Sequence, residues 1–135
     1  MAVFLSADWI AELDDAAQSS KTLAAQTSDV VLTIEQVVRG APVGDVRYHI
    51  VIERGAVRVR PGAVATPDLT FITEYGSARA LASGRANVQE ELVRGRFKVT
   101  GRIDRVAAHE SALDALDDVF AAVRATTTYP DPPPH

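Results

Sequence analysis

No cysteine occurs among the 135 residues, which removes disulfides, thiolate metal sites and cysteine nucleophiles. That absence is what a reducing compartment favours. Histidine is scarce. His49, His109 and His135 lie far apart with no H-x-x-x-H or H-E-x-x-H spacing, so no metal or other cofactor is expected. No G-x-S-x-G stretch occurs, and the serine-hydrolase signature goes with it. Gly95 and Gly101 are six apart and Gly84 stands alone, so no glycine-rich loop opens a helix to cradle phosphate. Positive charge is also short: 14 basic side chains face 18 acidic ones, for a formal net charge of −4. A domain that grips phosphates carries a basic balance or a basic patch. Here the arginines are spread along the chain between acids, so nucleic acid is not an expected partner and an anionic membrane surface is disfavoured. No apolar run approaches the ~20 residues that cross a bilayer, and residues 1–8 lack the positive leading stretch of a secretory signal. The expectation is a soluble cytoplasmic protein with no stable membrane insertion.

What is present is an ordinary globular balance, 47% hydrophobic and 24% charged, at the size of one domain. The pattern predicts a domain over residues 1–125 and a proline-rich, disordered tail over 126–135. Ser6 is placed to cap a helix reaching about Gln18, with Trp9, Ile10, Leu13, Ala16 and Ala17 on one side. Residues 18–28 read as a loop or a frayed extension. From Val30 the period becomes two: Leu32 and Ile34 share a face, and Thr33, Glu35 and Val37 take the other. A turn at Ala41-Pro-Val-Gly-Asp45 leads to a strand with Tyr48, Ile50 and Ile52 on one side and Arg47, His49 and Glu53 on the other. Arg54-Gly55 is a short reversal into Val57 and Val59, and links this short join antiparallel neighbours.

A fourth strand begins at Leu69. Two short helical stretches flank Gly84, with Asn87 as a cap, Glu90 three residues later and Gly95 as a stop. A fifth strand carries Phe97, Val99 and Ile103 inward and Lys98, Thr100 and Arg102 outward. The last helix, residues 104–124, shows one apolar stripe through Val106, His109, Leu113, Leu116, Phe120 and Val123. The architecture expected is α+β: a five-stranded, mostly antiparallel sheet with helices packed on one face and solvent on the other.

Three stretches give this order a family likeness: Pro67-Asp-Leu-Thr-Phe-Ile-Thr-Glu-Tyr75, Ala80-Leu-Ala-Ser-Gly84, and Leu92-Val-Arg-Gly-Arg-Phe-Lys-Val-Thr-Gly101. Across roughly residues 28–124 the chain resembles the sterol carrier protein type 2 family, as a free-standing bacterial-type member. The resemblance implies a tunnel between sheet and helices that takes a fatty acyl chain, acyl-CoA or sterol, and it carries over no catalytic residues. Two departures stand out. Gly101 is followed by Arg102 where the family often has Asp, and the chain ends in Pro-Pro-Pro-His rather than a Ser-Lys-Leu type address.

The candidate lining residues are Trp9 and Leu13 from the first helix, and Leu32, Ile34, Tyr48 and Ile50 from the meander. Phe71, Leu81, Leu92 and Phe97 follow, with His109, Leu113, Leu116 and Phe120 from the last helix. Read as residues alone, this set makes a packed core; the resemblance is what implies a tunnel. His109 could cap a polar end of it, or simply bond a backbone group at the boundary. Gln36 could orient a polar head, or sit at a fraying strand edge. The leading expectation is a non-enzymatic carrier of an apolar small molecule or lipid. The alternative is an interaction or accessory module, a homodimer or the companion of a metabolic enzyme. A third reading is a small enzyme using His109 with Tyr48 or Glu35.

Overall fold

In the computed structural model the described residues are 2–83, 85 and 88–129, without the side chains of Val88 and Gln89. Ser6 caps helix α1 (Ala7–Ser19) as its position predicts, its hydroxyl accepting from Trp9 N at 3.2 Å, and the stripe Trp9, Ile10, Leu13 and Ala17 is buried. The stretch read as a loop or a frayed extension holds a second helix, α2 (Lys21–Gln26). Ser20 repeats the capping device on Leu23 N at 3.1 Å, and Leu23 supplies a fully buried anchor.

Three strands follow, β1 (Val31–Ala41), β2 (Gly44–Glu53) and β3 (Ala56–Pro61). Arg54 and Gly55 both take positive φ, 48° and 90°, which gives the tight reversal whose twist suits an antiparallel pair. Then come β4 (Leu69–Glu74), α3 (Tyr75–Ala82), α4 (Val88–Val93), β5 (Phe97–Gly101), α5 (Asp104–Ala108) and α6 (Glu110–Arg124). Gly84 and Asn87, read as a break and a cap, lie outside the described residues.

The sheet order is β3-β2-β1-β4-β5, antiparallel throughout except that β1 and β4 run parallel, so the fold is α+β with a mixed sheet. A parallel pair needs a long crossover, and residues 62–68 complete it by passing over the face away from the helices. There Glu35 accepts from Val64 N at 3.0 Å and pairs with Arg47 at 3.3 Å, and Glu35 and Val37 are both buried. The face expected to meet solvent is thus partly roofed.

Asp68, at the start of β4, ties four elements together. It exchanges backbone and side-chain bonds with Thr33 (Asp68 N to Thr33 O, 2.9 Å; Thr33 N to Oδ2, 2.8 Å). Its carbonyl accepts from Arg102 N at 2.7 Å, and its Oδ1 meets Arg105 at 3.4 Å. The Arg102 bond and the positive φ of Gly101 (96°) end β5 at Gly101. Ile103, read as inward, therefore sits in the turn beyond the strand and is 59% exposed.

One further expectation gives way. Residues 104–124 are two helices, because His109 (φ −120°, ψ 30°) leaves helical geometry between α5 and α6. The packed body also runs past residue 125. Phe4 N donates to Thr128 O at 2.8 Å, Thr128 N to Ala2 O at 2.9 Å, and Tyr129 packs on Phe4 with ring centroids 5.2 Å apart. Residues 130–135 of the predicted tail lie outside the described residues.

Candidate functional site

Residues paired in register share a face of the sheet, so the helix-facing surface can be read row by row. One row runs Val59, Ile50, Ile34, Leu69; the next runs Pro61, Tyr48, Gln36, Phe71, Val99; beyond it Val38, Thr73 and Phe97 align. The helices do not cover these rows equally. Over β3, β2 and β1 the side chains of Leu32, Ile34, Ile50, Ile52, Val57 and Val59 are all 2% exposed or less, and α1 lies against β3. Over β4 and β5, Phe71, Val99 and Phe97 are only half-buried, with the Phe71 and Phe97 rings 5.5 Å apart.

Helix α6 shows the same asymmetry. Ala112, Ala115, Leu116 and Val123 form its buried stripe, and the Ala115–Val119 flank meets Thr22 and Gln26 of α2. At 100° per residue Leu113 and Phe120 fall on the other flank, turned away from α2. Both are half-buried, as are Val106 of α5 and Leu81 of α3. The far end of that flank is tied to α3, since the Tyr129 hydroxyl reaches the carbonyls of Arg124 (3.2 Å) and Ala82 (3.4 Å).

The fourteen sequence candidates therefore separate. Trp9, Leu13, Leu32, Ile34, Tyr48, Ile50 and Leu116 belong to the closed core. Trp9 stands edge-on to Phe4 and Tyr48 at 5.0 and 5.6 Å and donates from Nε1 to Thr127 at 3.2 Å. Phe71, Leu81, Phe97, Leu113 and Phe120 lie on the half-open side. Leu92 is 43% exposed at the end of α4, and His109 borders a surface depression. Val99 and Val106, inward by period but not singled out, join the half-open group; the alternation with Phe97 and the stripe through Leu113 are the signals that mark them.

Two depressions are described on the surface. One, of about 510 Å³, lies between α2 and α6 and is lined by Thr22, Gln26, Ser111, Asp114, Ala115, Asp118 and Val119. The other, of about 420 Å³, opens beside His109, Gln26 and Asp29. Both are open and substantially polar, and His109 is the one candidate they contain. Glu35 and Tyr48 point to opposite faces of the sheet, so at most one of them could share a face with His109. Among the described residues no group of three His, Asp or Glu side chains could hold a metal ion, and no helix is long and apolar enough to cross a membrane.

Burial pushes the Tyr48 hydroxyl well above the usual tyrosine range, with Arg124 opposing the shift weakly. The neutral form is the one the fold holds. Its contribution is therefore intact below the unfolded value near 10 and falls above it, by up to about 1.4 kcal/mol per pH unit. Urea denaturation at pH 9 and pH 11 should show a smaller loss of stability in Tyr48→Phe than in the parent; equal losses would rule the effect out.

Superposed on solved structures, 87% of this chain matches 97% of a crystal structure of sterol carrier protein 2, with TM-score 0.70 and 18% identity. The chain has the sterol carrier protein 2 fold. The solution structure of a conserved hypothetical protein from Thermus thermophilus shares the sterol carrier fold over 91% of each chain (TM-score 0.71, 18% identity). The palmitated sterol carrier protein 2-like protein of Aedes aegypti shares it over 78% of this chain and 94% of its own (TM-score 0.52, 14% identity). No protein-family model matches the sequence, and no curated protein is significantly similar to it.

Proposed function

We propose that this protein is a non-enzymatic cytoplasmic carrier that holds an apolar ligand, a fatty acyl chain, acyl-CoA or sterol, between the β4–β5 half of its sheet and the α3 and α5–α6 flank. The observation that carries the reading is the unequal covering of one sheet face. On β1, β2 and β3 the aliphatic side chains Leu32, Ile34, Ile50, Ile52, Val57 and Val59 are sealed, while Phe71, Phe97 and Val99 of the sheet and Leu81, Val106, Leu113 and Phe120 of the helices keep partial access. Interiors close-pack when nothing else must enter, so half-buried apolar groups on both the sheet and the helices suit a guest. The palmitated Aedes relative of the same fold supports the class of guest. Gln36, half-buried in the row between Tyr48 and Phe71, is the polar group placed to meet a headgroup.

Affinity in such a site comes from methylenes, at about 0.8 kcal/mol each when fully buried. Lengthening a saturated fatty acid by two carbons should then tighten binding by up to roughly tenfold until the site is full. Phe120→Asp should weaken it at least tenfold with the fold retained. Native mass spectrometry of the freshly purified protein, with organic extraction, is the direct test: a stoichiometric lipid-sized extra mass is expected. A clean apo mass together with no binding of a fluorescent acyl probe would overturn the carrier and leave an interaction module, homodimeric or docked on an enzyme, in its place.

A further inference from the structure

The chain is acidic overall, yet its charge is not evenly spread. Residues 92–103 hold Arg94, Arg96, Lys98 and Arg102 and no acid, while the rest of the chain carries ten basic side chains against all eighteen acidic ones. This segment is the end of α4, the edge strand β5 and the turn after it, and so forms one margin of the sheet. Six large apolar side chains are exposed among the described residues, and three of them lie in these twelve positions: Leu92 at 43%, Val93 at 88% and Ile103 at 59%. Glu91 engages Arg96, and Asp104 approaches Arg102 at 3.9 Å in an exposed pair. Arg94 and Lys98 make no ion pair among the described residues.

We propose that this margin docks on an anionic lipid bilayer, with Leu92, Val93 and Ile103 entering the headgroup boundary and Arg94 and Lys98 facing the lipid phosphates. Exposed aliphatic side chains set among cations are the composition that binds such a surface, because apolar burial and attraction to negative headgroups add. A protein partner would have to match two unpaired cations and three aliphatics on one short edge, whereas an anionic bilayer offers both over any area. The charge balance of the whole chain disfavours such a surface, and the local count is what favours it here. The margin includes Phe97 and Val99, so docking would set the half-open side of the sheet next to the bilayer. It rests on exposure and charge alone, independently of whether a ligand is carried.

The test is co-sedimentation of the full chain with vesicles of phosphatidylcholine and of phosphatidylcholine mixed with phosphatidylglycerol. Binding to the mixed vesicles is expected, weakening at high salt, with little binding to phosphatidylcholine alone. Each cation near an anionic surface contributes about fivefold to partitioning, so Arg94→Gln/Lys98→Gln should lower it roughly 25-fold. Val93→Ser/Ile103→Ser should lower binding without changing its salt dependence. Both variants alter exposed groups, and unchanged circular dichroism and acyl-probe binding in solution would show that fold and cargo site are untouched. Absence of binding to mixed vesicles, equal binding to both kinds, or binding indifferent to these substitutions would overturn the proposal. So would self-association through this edge that the same variants abolish while vesicle binding persists.

Discussion

Gly101→Ala is expected to lower the unfolding free energy by about 2–5 kcal/mol, the largest effect of any glycine-to-alanine change among the described residues. Two penalties coincide there. Gly101 holds φ at 96°, a region that side chains other than glycine occupy only with strain. A Cβ would also be driven into the neighbouring strand: Asp68 C lies 3.3 Å and Leu69 Cα 3.4 Å from it, with the Asp68 carbonyl oxygen closer still. These atoms are backbone and cannot rotate away. Nor can Asp68 retreat, because its carbonyl and carboxylate serve Arg102, Thr33 and Arg105. Gly44→Ala separates the two penalties, since Gly44 has φ 105° but nothing within 4 Å of its Cβ, and strain alone should cost about 1–2 kcal/mol. Urea denaturation followed by circular dichroism measures both; a Gly101 variant no worse than the Gly44 variant would refute the argument.

Asp14→Ala should cost about 2–3 kcal/mol through a different route. Asp14 stands on α1 and is 7% exposed, and its carboxylate serves the edge strand β3, accepting from Val59 N at 2.8 Å. It also accepts from Gln18 at 2.7 Å and meets Arg58 and Arg60 at 3.4 and 3.2 Å. The arginines are about half exposed, so their ion pairs are screened and contribute little. The main loss is the buried Val59 N–H, left without a partner. Freed of Asp14, that edge becomes a template for strand addition, and the variant should aggregate more readily on heating. Arg58→Gln/Arg60→Gln is the comparison. If removing both arginines costs as much as removing Asp14, the backbone bond is not what matters.

Much of this architecture can be read from the residues, because short-range rules set it. Ser6 and the spacing of Trp9, Ile10, Leu13 and Ala17 define α1. The alternation around Ile50 defines β2, and the Arg54-Gly55 pair requires the hairpin. What resisted reading depends on distant partners. A six-residue α2 has too little pattern of its own, and what holds it is the Ser20 cap and the burial of Leu23. The break at His109 leaves the apolar spacing through Val106 and Leu113 undisturbed, so periodicity passes straight across it. The burial of Glu35 depends on Val64, 29 positions away, crossing its face.

The apolar residues on the helix-facing side were legible as a list and not as a division. Period two places Ile50 and Phe71 inward alike, and nothing local says that one is sealed and the other half-open. That distinction arises from where the helices lie: α1 packs on β3 and α6 on α1 and α2, which leaves the opposite half of the sheet less covered.

The bridge between Val3 and Thr128 has a topological consequence. Residues 125 apart in sequence are backbone neighbours, so a few added residues would join them into a ring. The ring could then be reopened at the 86% exposed Val43, giving a circular permutant with the same five-stranded order. By the same geometry the unit could be spliced into a surface loop of a host protein, entering and leaving at one point without forcing the host's own strands apart.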